Sequence, residues 1–168
     1  QSSLAAGQET GGARIVLTGE FAPLSGVAAI DNSVGDELGG AQATLGFALN
    51  SFTGHGDALT GVFSAAPDSD VFSDDAPRHY LAIGYSRPIG TNGLVASISV
   101  DYSRNRPGGA LAAQALEGEY GRLGVSLSYP LILTRAQSLS VTAGIAAISD
   151  VQRTGVLGGG VTLSADRL

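Results

Sequence analysis

The sequence predicts an all-β chain of about eight antiparallel strands that run up and down within a single sheet. Three observations lead to this fold class. Apolar and small polar residues alternate with a period of two in one segment after another, clusters of Gly, Pro, Asn and Asp separate the segments, and no segment of useful length has the helical period. Successive side chains of a strand point to opposite faces, so each predicted strand has one apolar face and one face of small residues.

The clearest unit is a predicted hairpin at residues 80–102. Its second arm alternates five mainly apolar positions with four others: Leu94, Ala96, Ile98, Val100 and Tyr102 against Val95, Ser97, Ser99 and Asp101. The connection between the arms contains residues that favour tight turns: Pro88, Gly90, Asn92 and Gly93. Pro fixes φ and Gly or Asn accepts positive φ, so two strands joined by a short turn are predicted.

The other predicted elements follow in order along the chain. The first twelve residues are small, polar and glycine-rich, and we interpret them as a linker. Strands are predicted at residues 14–21, 26–30, 39–49 and 58–65 before the hairpin, and at residues 120–129, 139–145 and 156–165 after it. In the last of these strands the run Gly158-Gly159-Gly160 indicates a bulge or a weakened strand.

The composition restricts the class of protein. Charged residues make up 14% of the chain, which is too few to coat an ordinary soluble surface. The net charge of −6 argues against nucleic acid as the main partner, and the absence of cysteine excludes disulfides and thiol chemistry. No apolar run is long enough for a transmembrane helix. These restrictions favour a protein in which β-strands, rather than helices, place the apolar residues on one face.

The predicted connections alternate in length, and this alternation favours a transmembrane β-barrel. Residues 66–78 and 104–118 form long connections, whereas residues 50–56, 87–93 and 130–137 form short ones. Alternate connections of a meander lie at the same end of the sheet, and outer-membrane barrels have long loops outside and short turns in the periplasm. Aromatic residues on the apolar face at both ends, of the kind that bilayer interfaces select, are Tyr85, Tyr102 and Tyr129.

The alternation assigns residues to the two faces of this barrel. The expected lipid face includes Leu45, Ile98, Leu127 and Val141, and the expected lumen face includes Ser97, Ser99, Asp101, Arg122 and Ser126. Asp101 and Arg122 are expected to pair across adjacent strands. Side chains must fill an eight-stranded barrel, and the small residues of the lumen face cannot do so, so a wider barrel is predicted. The alternative is a soluble barrel or sandwich with the apolar face turned inward.

No constellation for catalysis or cofactor binding is found in the sequence. His55 and His79 have no carboxylate at ligand spacing and are interpreted as turn or strand-end residues rather than metal ligands. The loop with Asp68, Asp70 and Asp74-Asp75 lacks the order of ligands of a calcium-binding hand and is interpreted as a solvated acidic loop. No phosphate-binding loop and no nucleophile elbow are present. No enzymatic activity and no cofactor are therefore expected.

Four stretches in succession carry a resemblance to a known family. They are Asp31-Asn32, residues 39–59 (GGAQATLGFALNSFTGHGDAL), residues 84–93 (GYSRPIGTNG) and residues 121–135 (GRLGVSLSYPLILTR). In this order and spacing they resemble the outer-membrane transporters of two-partner secretion, the haemolysin and filamentous-haemagglutinin secretion family. The likeness covers about residues 6–150. The Arg-Gly-aromatic loop motif of that family does not occur in this sequence.

The resemblance implies a domain organisation and a function. Residues 1–22 would be a linker and the final strand of a periplasmic POTRA-like domain, and residues 23–168 would be about eight strands of a sixteen-stranded outer-membrane barrel. The family exports one large secreted partner protein without nucleotide hydrolysis, so the expected partners are that exoprotein and outer-membrane lipid, with no nucleic acid and no nucleotide. Two other functions stay open: a passive porin or ion-conducting barrel, in which Asp101 and Arg122 would shape selectivity, and a structural or adhesive surface domain.

Overall fold

The structure, a computed structural model, describes residues 2–6, 13–17, 21–67, 76–156 and 159–168. Strands β1 (Ser2–Ala6) and β2 (Ala13–Leu17) form a two-stranded antiparallel sheet. Eight further strands form a second sheet: β3 (Leu24–Asp31), β4 (Gln42–Asn50), β5 (Ala58–Ala65), β6 (Arg78–Ile89), β7 (Leu94–Asn105), β8 (Glu117–Leu133), β9 (Ser138–Val156) and β10 (Gly159–Arg167). No helix in the described part of the chain is long and apolar enough to cross a bilayer.

The eight strands lie in the sheet in the order in which they occur along the chain. Every neighbouring pair from β3 to β10 is antiparallel. The predicted all-β, up-and-down architecture is therefore confirmed. The sheet is open, because β3 and β10 form its two edges and do not pair with each other.

Short connections lie at one end of the sheet, at residues 51–57, 90–93 and 134–137. In the second of these turns, Leu94 N donates to Asn92 Oδ1 at 3.3 Å, and Gly90 and Gly93 adopt positive φ angles of 69° and 86°. Few residue types other than glycine tolerate such angles, so these two glycines fix the turn predicted from the sequence.

The first short connection is organised around a buried carboxylate. Asp57 is 1% exposed, and its Oδ1 accepts hydrogen bonds from Thr53 N at 3.2 Å and from Thr53 Oγ1 at 2.6 Å. Gly56 N donates to Ser51 Oγ at 3.0 Å on the other side of the loop. In this tight loop, side-chain oxygens thus accept hydrogen bonds from the backbone N–H groups of Thr53 and Gly56 and from the Thr53 hydroxyl.

The long connections lie at the opposite end, at residues 32–41, 66–77 and 106–116, which confirms the predicted alternation in length. The described parts of these loops are joined by backbone hydrogen bonds: Gly108 N donates to Glu37 O at 2.6 Å, and Arg106 N donates to Pro77 O at 2.8 Å. The most buried apolar side chains of the described residues lie beside these loops, at Ala65, Ala66 and Ala76. The loops thus pack on one another at this end.

One predicted element is wrong. A single strand was expected at residues 156–165, but Val156 ends β9 and Gly159 begins β10, so the chain reverses within that segment. Residues 157–158 between the two strands lie outside the described part of the chain. This connection falls at the end where the other connections are long, and at two residues it is the exception to the alternation in length.

Several strands are longer than predicted. Pro88 was placed in a turn but lies in β6 opposite Val95, near the end of the strand where Pro is tolerated. The strand predicted at residues 120–129 was expected to end at residue 129, yet β8 continues to Leu133 through an irregularity in pairing between Pro130 and Ile132. Residues 2–6 were expected in a linker and form β1 instead. The assignment of residues 1–22 to a periplasmic domain stays a prediction.

Candidate functional site

The large sheet has two chemically different faces. The face that we call the exposed face carries most of the large apolar side chains, including Leu45, Ile98, Leu127 and Val141, which are 59%, 44%, 48% and 51% exposed. Residues paired across antiparallel strands share a face, and the register aligns these side chains in rows, such as Leu59–Tyr85–Ile98–Val125–Ile145. The four side chains assigned to one outer face by alternation therefore do share it.

The opposite face, which we call the sheltered face, consists mainly of small and polar residues. All five residues predicted for the lumen lie on it, in adjacent positions of β7 and β8: Ser97, Ser99, Asp101, Arg122 and Ser126. Each of them is half-buried, whereas the neighbouring apolar residues of both strands are exposed. Val27 and Val62 are exceptions, since they belong to the sheltered face and flank Gly46 there.

The predicted ion pair forms on this sheltered face. Asp101 lies directly opposite Arg122, and Arg122 Nη1 donates to Asp101 Oδ2 at 3.1 Å and to Ser99 Oγ at 3.4 Å. A Cβ atom at Gly124 would lie 3.0 Å from Ser99 Oγ and 3.2 Å from Arg122 Nη2. Because Gly124 has no side chain, the guanidinium of Arg122 has room to turn toward the carboxylate of Asp101.

The three predicted interface tyrosines lie on the exposed face. Tyr85 is opposite Ile98, Tyr102 is opposite Leu81, and Tyr129 is opposite Val141. Tyr102 lies toward the long loops, at the end of the apolar part of β7, and Tyr129 lies near the short turns. Tyr85 lies close to the turn at 51–57, where its ring meets that of Phe52 edge to face at 6.1 Å.

A network of charged side chains lies on the exposed face beyond Tyr102, toward the long loops. We call it the rim network; its members are Arg104, Arg106, Glu117, Glu119 and Arg153. Arg104 Nη2 lies 2.5 Å from Glu117 Oε1, and Arg153 Nη1 lies 3.0 Å from Glu119 Oε2. Tyr102 joins the network by donating its hydroxyl proton to Glu119 Oε1 at 3.3 Å. The apolar rows of the sheet end where this network begins.

Glu117 is the centre of the rim network. Its side chain is 16% exposed, and it contacts three arginines: Arg104, Arg106 and Arg153. The hydrogen bond from Arg104 lowers the pKa of Glu117 below its ordinary value near 4.5; burial opposes this shift, and the three guanidinium charges reinforce it. The carboxylate is therefore held in its charged form.

Glu117→Gln is expected to reduce stability by about 1–3 kcal/mol at pH 7, because it removes a mostly buried carboxylate that Arg104, Arg106 and Arg153 share. In the wild type, the stability from this group is complete above its ordinary pKa and is lost as the pH falls through its lowered value. Urea unfolding between pH 7 and pH 3 should thus show the stabilities of the wild type and of Glu117→Gln converging as the pH falls. Glu37→Gln is the control, since Glu37 forms no ion pair within the described residues. Equal effects of both substitutions would contradict the assigned role.

The structure brings together no metal centre in its described part. No group of three or more His, Asp or Glu side chains among those residues is placed to hold an ion. His55 lies in the first short turn, where its Nδ1 is 2.8 Å from Thr53 O, and His79 lies at the start of β6. The acidic loop with Asp68 and Asp70 lies outside the described residues.

Sequence reasoning found the Asp101–Arg122 pair but missed the rim network. Residues 104–118 were assigned to a loop, because the alternation of apolar residues stops at Tyr102. The strands in fact continue, and the alternation is carried on by charges, with Arg104 two residues after Tyr102 and Glu119 two residues after Glu117 on the same face. Two arginines at a spacing of two after one predicted strand, Arg104 and Arg106, and two glutamates at the same spacing before the next, Glu117 and Glu119, were the signal that could have found the network.

Comparison with known proteins gives no family for this chain. No family model matches the sequence, no curated protein matches it, and no solved structure matches the fold. The resemblance to two-partner-secretion transporters thus rests on the four stretches of sequence that carry it, and any function drawn from it is a proposal.

Proposed function

We propose that residues 23–168 form part of the wall of an outer-membrane β-barrel, and that the complete protein exports a large secreted partner without nucleotide hydrolysis. One observation carries the first half of this proposal: most of the large apolar side chains lie on the exposed face of the sheet, and the sheltered face consists mainly of small and polar residues. A soluble barrel needs the reverse, because its core is filled by its apolar side chains. Lipid is the solvent that suits an exposed apolar face.

The height of the apolar band supports a bilayer as that solvent. On β7 the band runs from Leu94 to Tyr102, which is nine residues. A tilted strand needs about 9–11 residues to cross the hydrocarbon core. On the side of the long loops the band is bounded by Tyr102 and the rim network, and tyrosines and charges are the side chains that favour the interface and the water beyond it. On the other side Tyr129 lies near the end of the band, which continues to Leu133.

The open edges support a barrel wider than the eight strands seen here. The outer backbone groups of β3 and β10 have no strand partner in the sheet, and unpaired backbone groups are strongly disfavoured in lipid. The small residues of the sheltered face, such as Ser97, Gly124 and Ser126, would leave an eight-stranded lumen unfilled. We therefore propose closure by further strands, from the same protein or from other subunits; sixteen strands is the number that the resemblance implies.

A lumen of this kind suits the passage of an unfolded chain. Serine, glycine and alanine side chains offer an extended polypeptide few apolar contacts, and weak contacts distributed along a path let a substrate leave as well as enter. Folding of the partner outside the cell would supply the driving force. Loss of secretion of one exoprotein from a strain that lacks the complete gene is the direct test.

A passive channel is the second candidate, and the Asp101–Arg122 pair favours it. Asp101 and Arg122 lie side by side, 3.1 Å apart, on the face that would line the lumen. Charged side chains in such a position create an electric field that shapes ion selectivity. The two candidates differ in what crosses the membrane, a polypeptide or small solutes. Only the second predicts that solute permeability is the main loss when the gene is deleted.

The orientation of the wall gives a prediction of its own. Gly109 lies in the long connection 106–116 and Thr91 in the short turn 90–93, and both are exposed. An epitope inserted at Gly109 should be reached by antibody on intact cells, and one at Thr91 only after the outer membrane is permeabilised. The reverse labelling would contradict the proposed orientation, and accessibility of both sites on intact cells would contradict the membrane wall.

A further inference from the structure

Beyond the apolar band, the composition of both faces changes. The exposed face there carries Glu117, Glu119 and Arg153 from β8 and β9, and on β10 it carries Ser164 and Asp166. The sheltered face at the same level carries Tyr120 and Leu163 beside polar residues, with Ile148 just below them. In this upper part of β8, β9 and β10 the exposed face is thus charged, and the sheltered face combines apolar and polar side chains.

A cleft of about 470 Å³ lies on the sheltered side of this region, beneath the connection 106–116. Its floor is Gly118, where an added Cβ would meet no atom within 4 Å. Asn105 and Gln152 are the cross-strand neighbours of Gly118 on its two sides, so they face each other across the floor. Two strand spacings separate them, about 9–10 Å between their backbones.

The next row of the cleft adds an aromatic ring and a carboxylate. Tyr120 lies directly opposite Asp150, and Pro107 and Leu116 close the cleft from the loop side. Within the described part of the chain, the side chains of Asn105, Tyr120, Asp150 and Gln152 make no hydrogen bond or ion pair. Four polar groups that converge on one cavity without partners are free to bind a ligand.

We propose that this cleft binds a neutral saccharide unit. The amides of Asn105 and Gln152 each offer a donor and an acceptor, Tyr120 offers a hydroxyl, and Asp150 offers acceptors only, which suits a ligand that carries hydroxyl groups around its edge. The ring of Tyr120 and the side chain of Leu163 provide apolar surface for the C–H face of a sugar ring. An anionic ligand is disfavoured, since three carboxylates line the cleft, those of Glu117, Glu119 and Asp150, and Arg153, the arginine among the lining residues, already pairs with the two glutamates.

The gap above Gly118 favours a saccharide over a stretch of polypeptide. It is wide enough for one six-membered ring between two amides, and it is bounded along the strand by Tyr120 on one side and Leu116 on the other. An extended peptide needs a continuous groove or an unpaired strand edge. The strands around this cleft, from β7 to β10, are paired with one another here. The inference goes beyond protein export and does not depend on it.

The test is saturation-transfer NMR on the complete protein in lauryldimethylamine-oxide micelles, a detergent that contains no sugar. The probes are maltose, lactose and chitobiose, with glucuronic acid as an anionic sugar and tetraserine as a peptide. At least one of the three neutral disaccharides should receive saturation transfer, and glucuronic acid and tetraserine should not. Gln152→Ala should weaken binding about 5- to 10-fold, the effect of one lost hydrogen bond.

Two glycine substitutions on the same strand provide a matched pair. Gly118→Leu places a side chain in the cleft and should abolish the transfer signal. Gly121→Leu adds the same side chain on the exposed face, again where a Cβ meets no atom within 4 Å, and should leave the signal unchanged. Circular dichroism verifies that both variants fold. The proposal is overturned if none of the neutral disaccharides gives a signal sensitive to Gly118→Leu, if Gly121→Leu removes the signal equally, or if only tetraserine binds.

Discussion

Ile98→Arg is expected to destabilise the folded protein in lipid vesicles by roughly 2–4 kcal/mol, because an arginine near the middle of a lipid-facing band must leave water. Ile98 lies at the centre of the apolar rows on the exposed face, between Tyr85 on β6 and Val125 on β8. Urea titration of vesicle-reconstituted protein measures the loss. A loss of this size in the free energy of unfolding is clearly larger than the effect of an ordinary surface substitution.

Ser97→Arg is the matched control, since it makes the same change one residue away and on the other face. Ser97 is opposite Ser86 and Ser126 on the sheltered face, where the proposal places water. Its substitution should cost much less than that of Ile98. Equal tolerance of the two arginines would show that the exposed face does not contact lipid.

Deletion of the complete gene is expected to abolish secretion of one large exoprotein, which should then accumulate in the periplasm or be degraded. This is the largest effect that the proposed function predicts, because no other route across the outer membrane is assumed for that partner. The measurement is a comparison of culture supernatant and periplasm by immunoblotting, with the wild-type gene restored on a plasmid as the control. We expect the partner to be encoded next to this gene, and no ATPase or hydrolase activity to be lost.

The same strain separates export from passive permeation. Uptake of small labelled solutes should be nearly unchanged in the deletion strain if export is the function. A strain that secretes normally but has lost solute permeability would replace the exporter with the passive channel, and Asp101 and Arg122 would then be the first residues to test for ion selectivity.

The sequence was sufficient for the architecture because the period-two pattern is local. Alternation on β7 and β8 placed Asp101 and Arg122 on one face, and the structure pairs them at 3.1 Å. Residue types alone also predicted a turn at residues 87–93, and the observed turn occupies 90–93 within it, where Gly90 and Gly93 take positive φ. Each of these predictions needed only the order of residues within one hairpin or two neighbouring strands.

What the sequence did not reveal depends on register and on strand ends. The reversal between Val156 and Gly159 was missed because the residues on both sides of it continue a strand-like pattern. The rim network was missed because Arg104 and Glu117 are charged and were therefore assigned to a loop. The sheltered cleft above Gly118 could not be predicted, since it depends on the pairing of β7 with β8 and of β8 with β9.

Fluorescence quenching along β7 tests the central claim, that the exposed apolar face contacts lipid. The chain has no cysteine, so single cysteines at positions 96–101 can each carry an environment-sensitive fluorophore without background labelling. With the protein in vesicles, lipids that carry a quencher should quench the label at Ala96, Ile98 and Val100, and aqueous iodide should quench it at Ser97, Ser99 and Asp101. Equal iodide quenching at all six positions, or the reverse alternation, would contradict the membrane wall.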